Sequence, residues 1–305
     1  MKTVDWRELV NHEVVKAHGT GNDFVVFTDE YGEVPLTADT VAAVSDRHMG
    51  LGADGLIRVV RASELPEGRK LLEQDPSVEC SWTTATRTVP LLRCAATACA
   101  CSWTTWFGKG SWSFRRVRSC ASVPARVCVP WPAPKAATPW TWARGASLPV
   151  RTPARRLGRV VTTDGLNVPR PGLSISMGNP HTVVALSEED KLDQLDLRRA
   201  PSVSPEPKDG TNVEFVVPVD HDDTEVGRIH MRVFERGVGE TYSCGTGACA
   251  AAAATRFWGG ADAPDRWLVE VPGGVLSVTF VPATDGTEHV VLAGPTRVVA
   301  RAILV

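Results

Sequence analysis

Residues 236–250 read Arg-Gly-Val-Gly-Glu-Thr-Tyr-Ser-Cys-Gly-Thr-Gly-Ala-Cys-Ala, which sets Cys244 where a glycine-rich turn opens an alanine-rich helix. A helix N-terminus carries unpaired N–H groups and partial positive charge. A thiol there is expected to ionise more easily than a free cysteine, and the amides of Gly245, Thr246 and Gly247 can grip an anionic group. Both properties suit removal of a proton from the α-carbon of an amino acid. The same pattern also describes a plain helix cap with a buried structural thiol. Cys249 lies about one turn further along the helix and reads as a packed thiol, because one helix end cannot reach both faces of a substrate.

The elements that must position this turn follow from the apolar pattern. Strands are expected at 13–18 and 23–28, flanking Gly19-Thr20-Gly21-Asn22, with Val14, Val15, Val25 and Val26 in the core. Val41 and Val44 at helical spacing predict a helix over 37–49, capped by Thr37 or Asp39. A strand at 56–60 follows. Strands at 173–177 and 182–186 bracket Gly178-Asn179-Pro180-His181, repeating the order strand, Gly-Asn turn, strand. Residues 188–199, with acids first and arginines last, predict a helix matched to its dipole. Strands at 212–217, 228–234, 267–271, 275–280 and 297–304 complete an α+β chain of two similar halves.

Composition narrows the class. The chain has 305 residues, enough for one large core or two medium ones, and 33 basic against 35 acidic residues imply no polyanionic partner for the whole. The opening Met-Lys-Thr-Val-Asp-Trp lacks a signal-peptide core and no run is long enough to span a bilayer, so a cytoplasmic protein with no membrane role is expected. Eight cysteines are too few for a disulfide framework at this length. Six of them, Cys80, Cys94, Cys99, Cys101, Cys120 and Cys128, crowd one segment.

Five ordered motifs carry a family resemblance. They are Lys16-Ala17-His18-Gly19-Thr20-Gly21-Asn22-Asp23-Phe24 with Asp46-Arg47-His48-Met49-Gly50-Leu51-Gly52-Ala53-Asp54-Gly55, then Gly178-Asn179-Pro180-His181, Gly210-Thr211-Asn212-Val213, Phe234-Glu235-Arg236-Gly237, and the Cys244 turn. In this order they closely resemble diaminopimelate epimerase, over residues 13–75 and 172–300. The resemblance implies two pseudo-symmetric domains, each a curved sheet around a central helix, with the active site in the interdomain cleft. The domains would be 1–160 and 161–305, the last strand returning to the first. It also implies an enzyme without cofactor or metal, acting on a small-molecule substrate and forming a homodimer. Cys244 would be one of two acid/base thiols, tuned by His181 and Glu235. Asn22, Asn179 and Asn212 would bind the substrate's polar groups, Glu235 and Arg236 its distal ammonium and carboxylate, and the amides of Gly245 and Thr246 its α-carboxylate. Taken singly, Asn22 and Asn179 also fit turn residues and Glu235-Arg236 a surface ion pair.

The resemblance breaks where the composition does. From Cys80 to Thr163 there is no Asp, Glu, Asn, Gln, His, Ile, Tyr or Met, while Arg, Trp, Ala, Thr and Pro abound. Globular sequence does not do this. A cationic, Trp-rich nucleic-acid module on an inactive remnant is one alternative, and a cysteine metal site another, although Cys94, Cys99 and Cys101 lack the usual paired spacing. A related amino-acid racemase is a third.

A shifted reading frame explains both composition and break. If each hidden codon takes the last base of one codon and the first two of the next, Ser81 to Pro90 is compatible with Met-Asp-Tyr-Arg-Asn-Ala-Asp-Gly-Ser. Arg93 to Ser102 is compatible with Met-Cys-Gly-Asn-Gly-Val-Arg-Val-Phe. These words resemble the missing family motifs, the substrate-binding Asn-x-Asp-Gly turn and the helix start bearing the other catalytic thiol. The frame is expected to change near Cys80 and return near Arg159, before Asp164, the first acid to reappear. Activity of the chain as written is expected to be impaired.

Overall fold

The computed structural model describes residues 6–74, 80–86, 141–149, 157–187, 190–219, 225–282 and 288–305. Cys94, Cys99, Cys101, Cys120 and Cys128 lie outside them. The chain divides into two units, Met1–Ala146 with Pro295–Val305, and Ser147–Gly294. Strand β5 (Thr141–Pro149) spans the division.

The first unit contains β1 (Glu13–Gly19), β2 (Asn22–Thr28), β3 (Gly55–Arg61), β4 (Cys80–Thr86) and the end of β15 (Glu288–Ile303), in the order β4-β3-β2-β1-β15. The β2/β3 pair is parallel and the others antiparallel. A parallel neighbour needs a crossover, which α1 (Ala38–Ser45) supplies. The Thr37 hydroxyl caps α1 by accepting from Thr40 N–H at 3.1 Å. Helix α2 (Pro66–Gln74) follows β3.

Alternation splits this sheet's side chains between two apolar faces. Val14, Val25, Phe27 and Leu56 pack with Val44 of α1, Leu9 and Leu304. The opposite face carries Ala17, Phe24, Val26, Ile57 and Val59, with Cys80 packed against it. A sheet apolar on both faces requires a layer on each.

The second unit contains β6 (Leu157–Thr162), β7 (Arg170–Ser176), β8 (Pro180–Ala185), β9 (Ser202–Ser204), β10 (Asn212–Pro218), β11 (Val226–Glu235), β12 (Gly239–Thr241), helix α3 (Gly245–Gly259), β13 (Arg266–Val271) and β14 (Gly274–Pro282). Its β7, β8, β10 and β11 pair antiparallel, parallel, antiparallel, the sequence of senses found for β1 to β4. The turns between the first two strands also correspond. Thr20 and Gly21 take φ of 50° and 86°, and Gly178 takes 89°. Glycine enters this left-handed region without a steric penalty.

Helix α3 lies against β7, β8, β10, β11, β13 and β14. Ala248, Ala250, Ala251, Ala252 and Ala254 are all buried. Alanine has the highest intrinsic helix propensity, and its short side chain lets strands approach a central helix closely.

Residues 188–199 do not form the expected helix. Its described part holds a 3-10 turn at Leu192–Gln194 and a bridge between Asp164 and Asp196. The acids serve local backbone instead. Asp190 accepts from Ser187 N–H at 3.0 Å and Asp196 from Arg198 N–H at 3.0 Å, and such short-range bonds compete with a helix ladder. Leu195 and Leu197 pack into a core with Phe215 and Val184.

Candidate active site

Cys244 is the N-cap of α3, with extended backbone at φ −129°. The helix leaves the N–H groups of its first turn without intrahelical acceptors. Gly247 N–H turns back to Cys244 Sγ at 3.4 Å, and Thr246 Oγ1 lies 3.6 Å from the sulfur. Gly245 and Thr246, the first two helical residues, present the remaining amides at the same end.

The thiol departs from the sequence expectation. Burial pushes Cys244 well above the usual cysteine range, the negative charges of Glu235 and Glu214 push the same way, and the contacts with Thr246 and Gly247 oppose them only in part. At 5% exposure, loss of water outweighs the helix N-terminus. These surroundings favour the protonated thiol over the thiolate. Cys249 is fully buried and pushed up to about 12 by burial alone, consistent with a packed thiol.

Three further elements bring side chains to this end of α3. The turn before β8 holds Asn179, whose amide Nδ2 lies 3.5 Å from Thr246 Oγ1 and whose Oδ1 lies 3.0 Å from His181 Nε2. On β10, Asn212 Oδ1 accepts from Arg236 N–H at 2.9 Å, which ties the start of that strand to the end of β11. The Thr241 hydroxyl donates to Glu235 at 2.5 Å. Arg236 is exposed, and its guanidinium donates to the Asp209 carbonyl. Asn179, His181, Asn212, Glu235, Arg236, Cys244, Gly245 and Thr246 thus all belong to the second unit.

Asn22 belongs to the first unit, at the start of β2. An ionic clasp fixes the strand there. Asp23 N–H donates to Asp54 at 2.9 Å, Arg47 bridges Asp23 and Asp54 at 2.8 Å each, and Lys16 reaches Asp23 at 2.5 Å. Burial raises the Asp23 carboxyl, but hydrogen bonds with Arg47, Asp54 and Lys16 outweigh it and hold the group well below the usual range. Its neighbour Asp54 is pushed up to about 6 by burial and by Asp23.

One residue that sequence reasoning missed is Glu214. It is fully buried on β10 and its Oε1 lies 2.6 Å from His181 Nδ1. The available signal was its position two residues after Asn212 in an otherwise apolar strand, which puts both side chains on one face.

A cavity lined by Leu173, Ile175, Ala253, Phe257 and Phe280 lies at the other end of α3. Arg256 there is already paired with Glu288 at 2.8 Å and Asp265 at 2.5 Å, and stacks on Phe280. That cavity is remote from the thiol.

The diaminopimelate epimerase family model matches residues 173–299. The chain is 35% identical to the diaminopimelate epimerase of Acidothermus cellulolyticus, covering 94% of this chain and 93% of that protein. It is 36% identical to the diaminopimelate epimerase of Rhodococcus jostii, covering 95% and 96%. Among solved structures, a Bacillus anthracis phenazine biosynthesis protein of the PhzF family matches with TM-score 0.61 at 11% identity, covering 96% of this chain and 99% of that one. A hydroxyproline epimerase from Agrobacterium vitis matches with TM-score 0.56 at 12% identity, covering 95% and 90%. These structural likenesses share the α+β fold.

Proposed function

Because the chain belongs to the diaminopimelate epimerase family, and so to the amino-acid epimerases, we propose that its lineage converts LL- to meso-diaminopimelate, in lysine and peptidoglycan precursor synthesis, without a cofactor. The observation that carries this reading is the buried Cys244 thiol capping α3, with Asn179, Asn212, Glu235 and Arg236 at the same end of one unit. The protein is a cytoplasmic homodimer on this reading.

Inverting an α-carbon requires removal of a weakly acidic proton from one face and delivery to the other. Two groups must differ in protonation, one waiting as thiolate and one as thiol. Cys244 suits the proton-donating role when LL substrate binds, since its surroundings keep the proton on sulfur. The amides of Gly245 and Thr246 receive the α-carboxylate, where its charge meets the positive end of α3. Asn22, Asn179 and Asn212 hydrogen-bond the substrate's polar groups. Arg236 offers a two-pronged donor for the distal carboxylate and Glu235 an acceptor for the distal ammonium. Glu235 and His181 also tune the thiols.

The partner thiol is out of frame in the chain as written. In the first unit the face bearing Phe24, Val26 and Ile57 is the counterpart of the face that α3 covers in the second. The hidden Met-Cys-Gly-Asn-Gly word would supply a helix for it, with a cysteine at its start. Cys94 lies near that position, but Ala95-Ala96-Thr97 cannot form the glycine turn. The chain as written is accordingly impaired.

An electrophilic analogue of diaminopimelate tests the site. It should modify Cys244 in preference to Cys249, and free diaminopimelate should protect. Labelling mainly at Cys249 or among Cys94, Cys99 and Cys101 would overturn the assignment.

A further inference from the structure

Glu214 does more than fill space. Both it and His181 have fully buried side chains, and His181 Nδ1 lies 2.6 Å from Glu214 Oε1. Its second oxygen, Oε2, is buried with no hydrogen-bond partner among the described residues. A buried carboxylate with a bare oxygen costs stability that an apolar side chain of similar length would avoid. The geometry of α3 adds a second link. A Cβ placed on Gly247 would fall 2.8 Å from Glu214 Oε1 and 3.3 Å from Cys244 Sγ. The carboxyl and the thiol therefore both border the space that a side chain at Gly247 would fill.

We infer that Glu214 is a positioning residue of the Cys244 site, its carboxylate anchoring the His181 ring and keeping the neighbouring thiol protonated. The inference rests on the reading of Cys244 as a reacting group. The groups acting on the thiol are Glu235 at the end of β11, Glu214 on β10, and Thr246 and Gly247 on α3 itself. His181 on β8 reaches it through Glu214. Burial raises the Glu214 carboxyl above the usual glutamate range, and the charge and hydrogen bond of His181 oppose that rise in part. Glu214 would thereby assign Cys244 the role of proton donor and leave the thiolate role to its partner.

The rate of iodoacetamide modification of Cys244, followed by peptide mass mapping between pH 6 and 11, separates this from a packing role. Replacing the carboxylate by the isosteric amide, Glu214→Gln, should move the half-maximal rate to lower pH by about half a unit to one unit. Glu270→Gln, which removes an exposed carboxylate on β13, should not move it. A folded Glu214→Gln chain with the unchanged profile would overturn the inference. Should that variant not fold, the unaltered chain labelled with 15N-histidine decides: a slowly exchanging His181 Nδ1–H supports the anchor, and a rapidly exchanging one overturns it. If Cys244 stays inert at every pH while other cysteines react, the reading of Cys244 itself fails, and this inference with it.

Discussion

The backbone N–H of Gly247 donates to the Sγ of Cys244 at 3.4 Å, so the sulfur proposed to move protons is also the cap of its helix. Reactivity and stability are thereby joined in one atom and can be separated by substitution. Cys244→Ser keeps an acceptor at the cap, whereas Cys244→Ala removes it. The alanine variant should lose about 1 kcal/mol relative to the serine variant in urea unfolding, the usual worth of an N-cap. Both should lose labelling by a substrate analogue. Equal stability of the two would mean that the thiol does not cap α3.

The clasp at Asp23 and Asp54 makes the first unit pH-sensitive. Asp54 has a folded value of about 6 against about 3.9 for a free aspartate, so the folded chain binds that proton more tightly. The stability it contributes is complete below about pH 4 and is lost as pH rises through 6. Asp23 has the opposite sign: its depressed folded value adds stability above about pH 4, lost only in stronger acid. Between pH 4 and 7 Asp54 sets the difference. The chain should lose about 1 kcal/mol more than Asp54→Asn over that range, a figure discounted for partial solvent screening. Parallel stability curves for the two chains would contradict this.

Much of the fold was legible in residue pattern. The strands around Asn22 and Asn179 followed from short β-branched runs broken by Gly-Asn turns, and α3 from a capping residue ahead of an alanine run. The error over 188–199 had a physical source, because acids first and arginines last describe a helix and also a loop whose Asp190 and Asp196 bond to nearby backbone. The state of Cys244 was misjudged for a related reason. Its place at a helix N-terminus can be read from sequence, but its burial depends on several separate strands packed around the helix, and Glu214 approaches from thirty residues upstream. Glu214 itself carried no motif, only an acidic residue where the strand pattern calls for an apolar one.

A DNA-level prediction follows from the composition of 80–163. The alternative frame should be open there and spell Asn-Ala-Asp-Gly-Ser and Met-Cys-Gly-Asn-Gly across codons 85 to 98. Codons straddling Ser102 to Phe107 are also compatible with Val-Asp-Tyr-Leu-Val, which restores the acid and tyrosine missing from this segment. Sequencing across codons 75–165 checks it. A stop codon in the alternative frame within either motif would end the frame hypothesis.

The most direct measurement compares epimerisation by the chain as written and by a chain with the frame restored, each supplied with LL-diaminopimelate in D2O. Meso product and α-deuterium are read together. The chain as written has Cys244 on one side of the chemistry and no thiol at a Cys-Gly-Asn-Gly helix start on the other. A positioned proton-transfer group contributes about 10²–10⁴ in rate, and the Asn-x-Asp-Gly substrate turn is lost as well. The predicted result is no measurable epimerisation by the chain as written, and turnover by the restored chain that Cys244→Ala abolishes. Substantial turnover by the uncorrected chain, lost in Cys244→Ala, would keep the family assignment and contradict the reading of residues 80–160.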